Sequence, residues 1–246
     1  MSPRAVWRAV ALVFSLAISF LGLWLAPLRG PMTLERKARW SQWSSRLVLA
    51  SLGIHYRIEG EPPTHGLIVC NHLSYLDILI ISAATPAFFI AKKEIASWPF
   101  FGWISSSNGT IFLDRSSLAS ANSVAAVMTE RMKLQIPVML FPEGTSTDGS
   151  QVLRFHSRLI DPATKAGAPI TAAAVRYVID GGIPERALCW YGDAPFLPHL
   201  LKALRTPGFS AQMRFGTPTV YPDRRTAADR THDEITAMRA QMSESQ

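Results

Sequence analysis

The chain is 246 residues long, enough for one sizeable domain and an appendage, and only 17% of it is charged against 48% hydrophobic. A purely soluble domain carries about a quarter charged residues, so part of this surface is expected to face lipid rather than water. The 25 Lys and Arg outnumber 18 Asp and Glu for a formal charge of +7, and without zinc-finger spacing, an aromatic RNA-binding signature or a dense basic run, the expected partner of that charge is anionic membrane lipid and not nucleic acid.

From Ala9 to Leu28 no residue is charged, and Arg8 and Arg29 bound the run. As a helix it would be about 30 Å long, close to the thickness of a bilayer's hydrocarbon. It is long for a signal-peptide core and lacks a clear cleavage site. Thr33 to Gly53 reads as a second, amphipathic helix with Thr33 as N-cap. Trp40, Trp43 and Leu47 recur at helical spacing among Arg36, Lys37, Arg39 and Arg46. Trp beside Arg and Lys suits a membrane interface, and an ordinary surface helix packed on the following domain is the alternative. Arg29, Arg36, Lys37, Arg39 and Arg46 outweigh Arg4 and Arg8, which puts the rest of the chain on the cytoplasmic face of the inner (plasma) membrane. Hydropathy leaves open whether residues 9–28 span the bilayer or dip in and return with the second helix.

After His55 short apolar runs alternate with helical stretches. Leu67 to Cys70 reads as a buried strand, Tyr75 to Ala84 as a helix, and Ala87 to Ala91 and Thr110 to Leu113 as strands. Ser117 to Leu134 has helical periodicity and stops before Pro137. Val138 to Phe141, Ile170 to Val175, Ala187 to Tyr191 and Ala211 to Phe215 read as further strands. The alternation predicts an α/β domain, a mixed and mainly parallel sheet flanked by helices, over residues 55–246, preceded by a membrane-associating helical pair over residues 1–54. Leu67 to Ala91 is apolar enough to pass for a transmembrane helix, but Asn71, His72 and Asp77 lie inside it and Pro86 interrupts it. Ionisable groups at membrane depth are costly, so strand, turn, helix, strand is the better reading.

Asn71-His72 and Glu143-Gly144-Thr145 each follow an apolar strand, and open α/β sheets bind ligands beyond the carboxyl ends of their strands. His72 and Asp77 are five positions apart. On one ideal helix their side chains would point about 140° apart, so they meet only if His72 lies in the turn before the helix and Asp77 points back from its first turns. A His so held is a natural general base near neutral pH, with the carboxylate fixing its tautomer. No G-x-S-x-G elbow occurs, which counts against a serine hydrolase. No H-E-x-x-H pattern or ligand cluster points to a metal. Cys70 and Cys189 are the two cysteines, and Cys70 lies in an apolar run where a reduced buried thiol is the common state.

Three further segments stand out: Gly109-Thr110-Ile111-Phe112-Leu113-Asp114-Arg115, Phe141-Pro142-Glu143-Gly144-Thr145 and Ala168-Pro169-Ile170-Thr171. With Asn71, His72 and Asp77, they resemble the four sequence blocks of the glycerolipid acyltransferase family, which includes 1-acylglycerol-3-phosphate acyltransferases. The resemblance covers roughly Leu67 to Tyr177. It implies that His72 takes the proton from an acceptor hydroxyl and that Asp77 orients and charge-balances it. It also implies that Asn71, Gly109, Arg115, Pro142, Glu143, Gly144 and Thr145 form the substrate site. Arg115 resembles the family's phosphate-binding arginine, a task suited to a bidentate guanidinium, and a surface ion pair with Asp114 or Glu94 is the alternative. Glu143, which repels phosphate, is expected to position Arg115 or a hydroxyl.

The activity this implies is transfer of a fatty acyl group from acyl-CoA or an acylated carrier protein to a lysolipid hydroxyl, with no bound cofactor or metal. Backbone N–H groups near His72 are the expected oxyanion donors. The acceptor implied first is 1-acylglycerol-3-phosphate, giving phosphatidate. Phe155-His156-Ser157-Arg158 stands where relatives commonly have F-K-x-G, and Cys189 to Asp193 with Phe196 to Leu201 looks like a subset of bacterial-type relatives, some acting on lyso-ornithine lipid or other lysolipids, so lyso-ornithine lipid or another phosphate-free lysolipid is the alternative acceptor. A non-catalytic membrane lipid-binding protein is the third reading, and it leaves the base His72 unexplained.

Overall fold

The computed structural model describes residues 2–98, 101–114 and 118–244. Helix α1 (Pro3–Leu25) starts on Ser2, whose side chain accepts from the Ala5 N–H, with Pro3 in the first turn where its missing donor costs nothing. A 3-10 turn (Ala26–Arg29) carrying Pro27 follows. Helix α2 (Leu34–Leu52) is capped by Thr33, as the sequence suggests, through a 3.2 Å bond from the Arg36 N–H. It ends on Gly53 at φ 67°, a left-handed cap that glycine adopts without strain. Gly22 lies against the Trp40 ring and Arg8 lies over Gly53, so the two helices form an antiparallel hairpin.

Strands β1 (Ile54–Glu59), β2 (Leu67–Cys70), β3 (Phe88–Lys92), β4 (Ile111–Leu113), β5 (Val138–Leu140), β6 (Ile170–Ile179) and β7 (Phe209–Phe215) make one seven-stranded sheet in the order β1-β7-β6-β2-β5-β3-β4. All neighbours are parallel except β6 and β7, which run antiparallel. The mixed, mainly parallel sheet is therefore as expected. β2 is central, and all four of its residues are buried. Alternation sends Ile68 and Cys70 to one face and Leu67 and Val69 to the other. The first face packs against α2, α3 (Leu76–Ala84) and α7 (Phe196–Arg205). The second packs against α5 (Leu118–Met132), α6 (Asp161–Lys165) and α8 (Arg224–Glu244). Helix α4 (Phe101–Ser107) leads into β4.

The structure departs from the sequence reading at Ala187 to Tyr191, which is no strand. Glu185–Ala187 forms a 3-10 turn and the chain then loops. The Trp190 N–H donates to the Leu73 carbonyl at 2.8 Å instead of joining a ladder. β1, α4, α6, α7 and α8 have no counterpart among the elements read from the sequence.

The hairpin is tied to the sheet domain at its open end. Arg8 donates to the Thr206 and Pro207 carbonyls at 2.6 and 3.3 Å, and Arg4 to Pro207 at 2.7 Å, where α7 ends. Arg46 and Gln42 of α2 donate to the Ala83 carbonyl at the end of α3, at 2.9 and 3.3 Å. Cations at these helix ends meet orphan carbonyls and the negative pole of the dipole. The outer side of α1 is apolar and open: Trp7, Trp24, Phe14 and Val13 are 71, 69, 66 and 64% exposed. Among the described residues Pro3–Leu28 is the one helical stretch long and apolar enough to cross a membrane, a length and composition that suit membrane association.

Candidate active site

β2 stops at Cys70 because the next side chain takes over the pairing. Asn71, 2% exposed, accepts from the Val175 N–H at 2.9 Å and donates to the Val175 carbonyl at 3.1 Å. One side-chain amide thus stands in for a backbone rung on β6 and frees the chain to turn. His72 lies in that turn, and α3 starts at Leu76. The strand-turn-helix that the five-residue spacing demands is present.

His72 Nδ1 and Asp77 Oδ2 are 2.8 Å apart. Asp77 is wholly buried, and its Oδ2 also accepts from the Leu73 and Ser74 N–H groups at 2.7 and 3.0 Å. Its Oδ1 accepts from the Tyr177 hydroxyl. Both oxygens of the buried carboxylate are therefore satisfied. Because a carboxylate only accepts, Nδ1 carries the proton and Nε2 is left as the basic nitrogen. The imidazole stacks on Phe141, with centroids 4.0 Å apart and planes 18° apart, and its side chain is 19% exposed. Among the described residues two surface depressions are lined by Arg154, His232 and Asp233 and by Thr110, Phe112 and Arg131. Neither includes His72, which is partly buried.

Glu143 comes from the turn after β5. Gly144, at φ 76°, donates to the Phe141 carbonyl at 3.1 Å and swings the chain back, so that the Thr147 N–H reaches the His72 carbonyl at 2.9 Å. Glu143 is 4% exposed. Its Oε1 accepts from the His72 N–H at 2.7 Å and its Oε2 from the Leu153 N–H at 2.8 Å. Burial raises its pKa, opposed by those two bonds. Glu143 is thus a brace joining the turn after β2 to the segment after β5. The Pro142 carbonyl accepts from the His156 N–H at 2.9 Å and fixes the same segment. Thr145 is exposed.

Gly109 lies elsewhere, before β4 at φ 78°, against Phe88 and Leu34. Arg115 lies outside the described residues. The expected oxyanion donors next to His72 are committed: the N–H groups of His72, Leu73 and Ser74 bind Glu143 or Asp77. Tyr177 escaped the sequence reading. Its signal is a lone aromatic with a polar tip in a strand whose other residues, Arg176 apart, are small or aliphatic, but its partner is 100 positions away.

The Acyltransferase family model matches residues 54–176 of the 246. The chain is 37% identical over 164 residues to a lyso-ornithine lipid O-acyltransferase of Rhodobacter capsulatus, covering 65% of this chain and 59% of that protein. It is 34% identical over 172 residues to one from Pseudomonas aeruginosa, with 70 and 65% covered. A 1-acyl-sn-glycerol-3-phosphate acyltransferase of Neisseria meningitidis is 36% identical over 140 residues, with 56 and 55% covered. The chain spans less than two thirds of the length of each of these relatives. The crystal structure of the 1-acyl-sn-glycerophosphate acyltransferase PlsC from Thermotoga maritima matches with a TM-score of 0.69 over 98% of both chains at 16% identity, a likeness of fold. A family match over half the sequence, falling on the strand, turn and helix that bring His72 to Asp77, shows that this chain belongs to the Acyltransferase family.

Proposed function

We propose that the chain transfers a fatty acyl group from an acyl thioester, acyl-CoA or acyl carrier protein, to the free hydroxyl of a lysolipid at a membrane surface. The observation that carries this reading is the His72–Asp77 pair, with Nδ1 held by a buried carboxylate, Nε2 left as the free basic nitrogen, and the side chain 19% exposed. Nε2 takes the proton from the acceptor hydroxyl as its oxygen attacks the thioester carbonyl. The tetrahedral intermediate collapses, the carbon–sulfur bond breaks, and the imidazolium returns the proton to the departing thiolate. Asp77 balances the transient positive charge. The substrate supplies the nucleophile, so no acyl-enzyme forms, and no bound cofactor is required.

1-Acyl-sn-glycerol-3-phosphate is the first acceptor in this reading, with Arg115 as the phosphate ligand and phosphatidate as product. Lyso-ornithine lipid is the second, favoured by the 37 and 34% identical relatives that carry that name. The hairpin brings the site to the bilayer, where both substrates reside. The catalytic domain faces the cytoplasm in this reading, supported by the surplus of Lys and Arg around α2. The test is purified protein in vesicles given a labelled acyl thioester and, separately, each lysolipid, with products read by mass. Transfer to a lysolipid by the native protein and its loss in His72→Ala support the reading. A His72→Ala protein that transfers at the native rate overturns the base. Product from only the ornithine lipid replaces the first acceptor with the second.

A further inference from the structure

The proposed chemistry assigns work to His72 and Asp77 and leaves one buried polar group beside them unused. Tyr177 projects from the C-terminal part of β6 into the core and is 1% exposed. Its hydroxyl donates to Asp77 Oδ1, the oxygen that neither the imidazole nor the turn N–H groups take. Its own backbone is fixed from the other side. The Tyr177 N–H donates to Glu185 Oε1 at 2.8 Å, and Glu185 Oε2 holds Arg239 of α8 at 2.7 Å. Arg239 also donates to the Gly149 carbonyl at 2.8 Å. A chain of bonds thus runs from the C-terminal helix through β6 to the carboxylate behind the imidazole.

We infer that Tyr177 is a positioning residue, whose hydroxyl locks the Asp77 carboxylate in the plane that meets His72 Nδ1 and tempers the pull of that carboxylate on the ring proton. The inference rests on the proposed role of His72 as the base. Three observations support it. The hydroxyl lies at the buried end of the site, where no substrate reaches. Burial, and then the charge of Asp77, drive the pKa of the phenol far up, so the hydroxyl stays a donor. Among the described residues the other side-chain contacts of Asp77 come from its own turn, between His72 and Ser74, so Tyr177 supplies the link from the sheet. The ionisable groups around the pair are Cys70 on β2, Glu143 after β5, Glu185 and Cys189 after β6, and Arg239 on α8. Both thiols are pushed up by burial and are neutral.

The sign of the effect follows. A carboxylate that loses one donor concentrates its charge on the remaining partners, so the imidazole keeps its extra proton to higher pH and is the free base over a narrower range. Tyr177→Phe is expected to lower kcat about tenfold with KM for both substrates within about twofold, and to move the acid limb of kcat/KM up by about half a pH unit. 3-Fluorotyrosine placed at position 177 keeps the hydroxyl and makes it a stronger donor, so the acid limb is expected to move down. It also preserves packing, which covers the case of a Phe variant that fails to fold. Opposite displacements of the limb support the inference. A limb unmoved in the fluorotyrosine protein, or a Phe variant that loses rate with an unchanged pH profile, assigns Tyr177 a purely structural role and overturns it. His72→Ala in the same assay separates the two failures. If that variant transfers normally, the base role falls and this inference with it. If it is inactive while the position-177 proteins match the native profile, only this inference falls.

Discussion

Two stretches of the chain are apolar enough to be taken for membrane helices, and they have opposite fates. Leu67 to Ala91 is threaded through the centre of the domain: Ile68, Ile80 and Ile81 are wholly buried, and Asn71, His72 and Asp77 each have specific partners. Pro3–Leu28 lies outside, with Trp7, Val13, Phe14 and Trp24 more than three-fifths exposed. Hydropathy does not tell them apart, because both environments reward apolar side chains. The polar residues do. In the first stretch Asn71 and Asp77 are buried and fully partnered, which only a folded interior can arrange. In the second the charged groups sit near the start, where Arg4 and Arg8 dock the helix.

The largest effect expected is on the interior side of that comparison. Asp77→Asn turns an acceptor of four bonds into a group that offers an amide to donors, with Leu73, Ser74, Tyr177 and His72 all presenting hydrogens. The imidazole loses its fixed tautomer, and acyl transfer is expected to fall by about a thousandfold or more. Steady-state rates with a labelled thioester measure this, and a fall below about tenfold would mean that Asp77 does not set the tautomer. The next effect is on the exterior side. Val13→Ser with Phe14→Ser removes two side chains 64 and 66% exposed in the free protein. Vesicle binding by sedimentation is expected to weaken about a hundredfold, from roughly 1.5 kcal/mol or more per side chain, while the unfolding midpoint in detergent-free buffer stays put. Unchanged vesicle binding would make α1 an ordinary packed helix.

The two sides also differ in how well the sequence reports them. The bounds of β2 follow from the Leu-Ile-Val-Cys run, because a strand buried on both faces needs continuous apolar residues. The His72–Asp77 contact follows from spacing, because it is local. β1 is harder to see: it is an edge strand, partly exposed, and gains its register from β7 more than 150 positions later. Helix α8 buries small and flexible residues, Ala227, Ala228, Thr231, Ile235, Met238 and Met242, in an otherwise polar sequence, so its apolar stripe is thin. Ala187 to Tyr191 has the composition of a strand, yet its backbone serves the turn at Leu73. Glu143 carries a legible motif with an illegible task, since its two partners, the N–H groups of His72 and Leu153, have no side-chain signature.

That task sets the third prediction. Glu143→Gln keeps the shape but presents an NH2 where an acceptor is needed, so one of the two buried N–H groups loses its partner. The cost is about 1–3 kcal/mol of folding stability, read from chemical denaturation. Because the freed N–H belongs to His72 or to the strap at Leu153, kcat should fall with it, by about tenfold. Normal stability with a raised KM would instead mean that Glu143 contacts substrate.

The smallest effect sharpens the boundary between the two regions. Arg8 is 9% exposed and gives hydrogens to the carbonyls of Thr206 and Pro207 just beyond the last turn of α7. Arg8→Ala removes these bonds and a cation at the negative pole of a helix, a loss of about 1–2 kcal/mol. The sheet and α3 do not depend on it, so amide exchange should rise in α1 and at the end of α7 and stay unchanged in β2 and β6. This outcome requires the start of α1 to sit against the sheet domain, on the same side of the bilayer. A helix that crossed and left its N-terminus on the far side would put Arg8 beyond reach of Thr206, and Arg8→Ala would then leave exchange at α7 untouched in vesicle-bound protein.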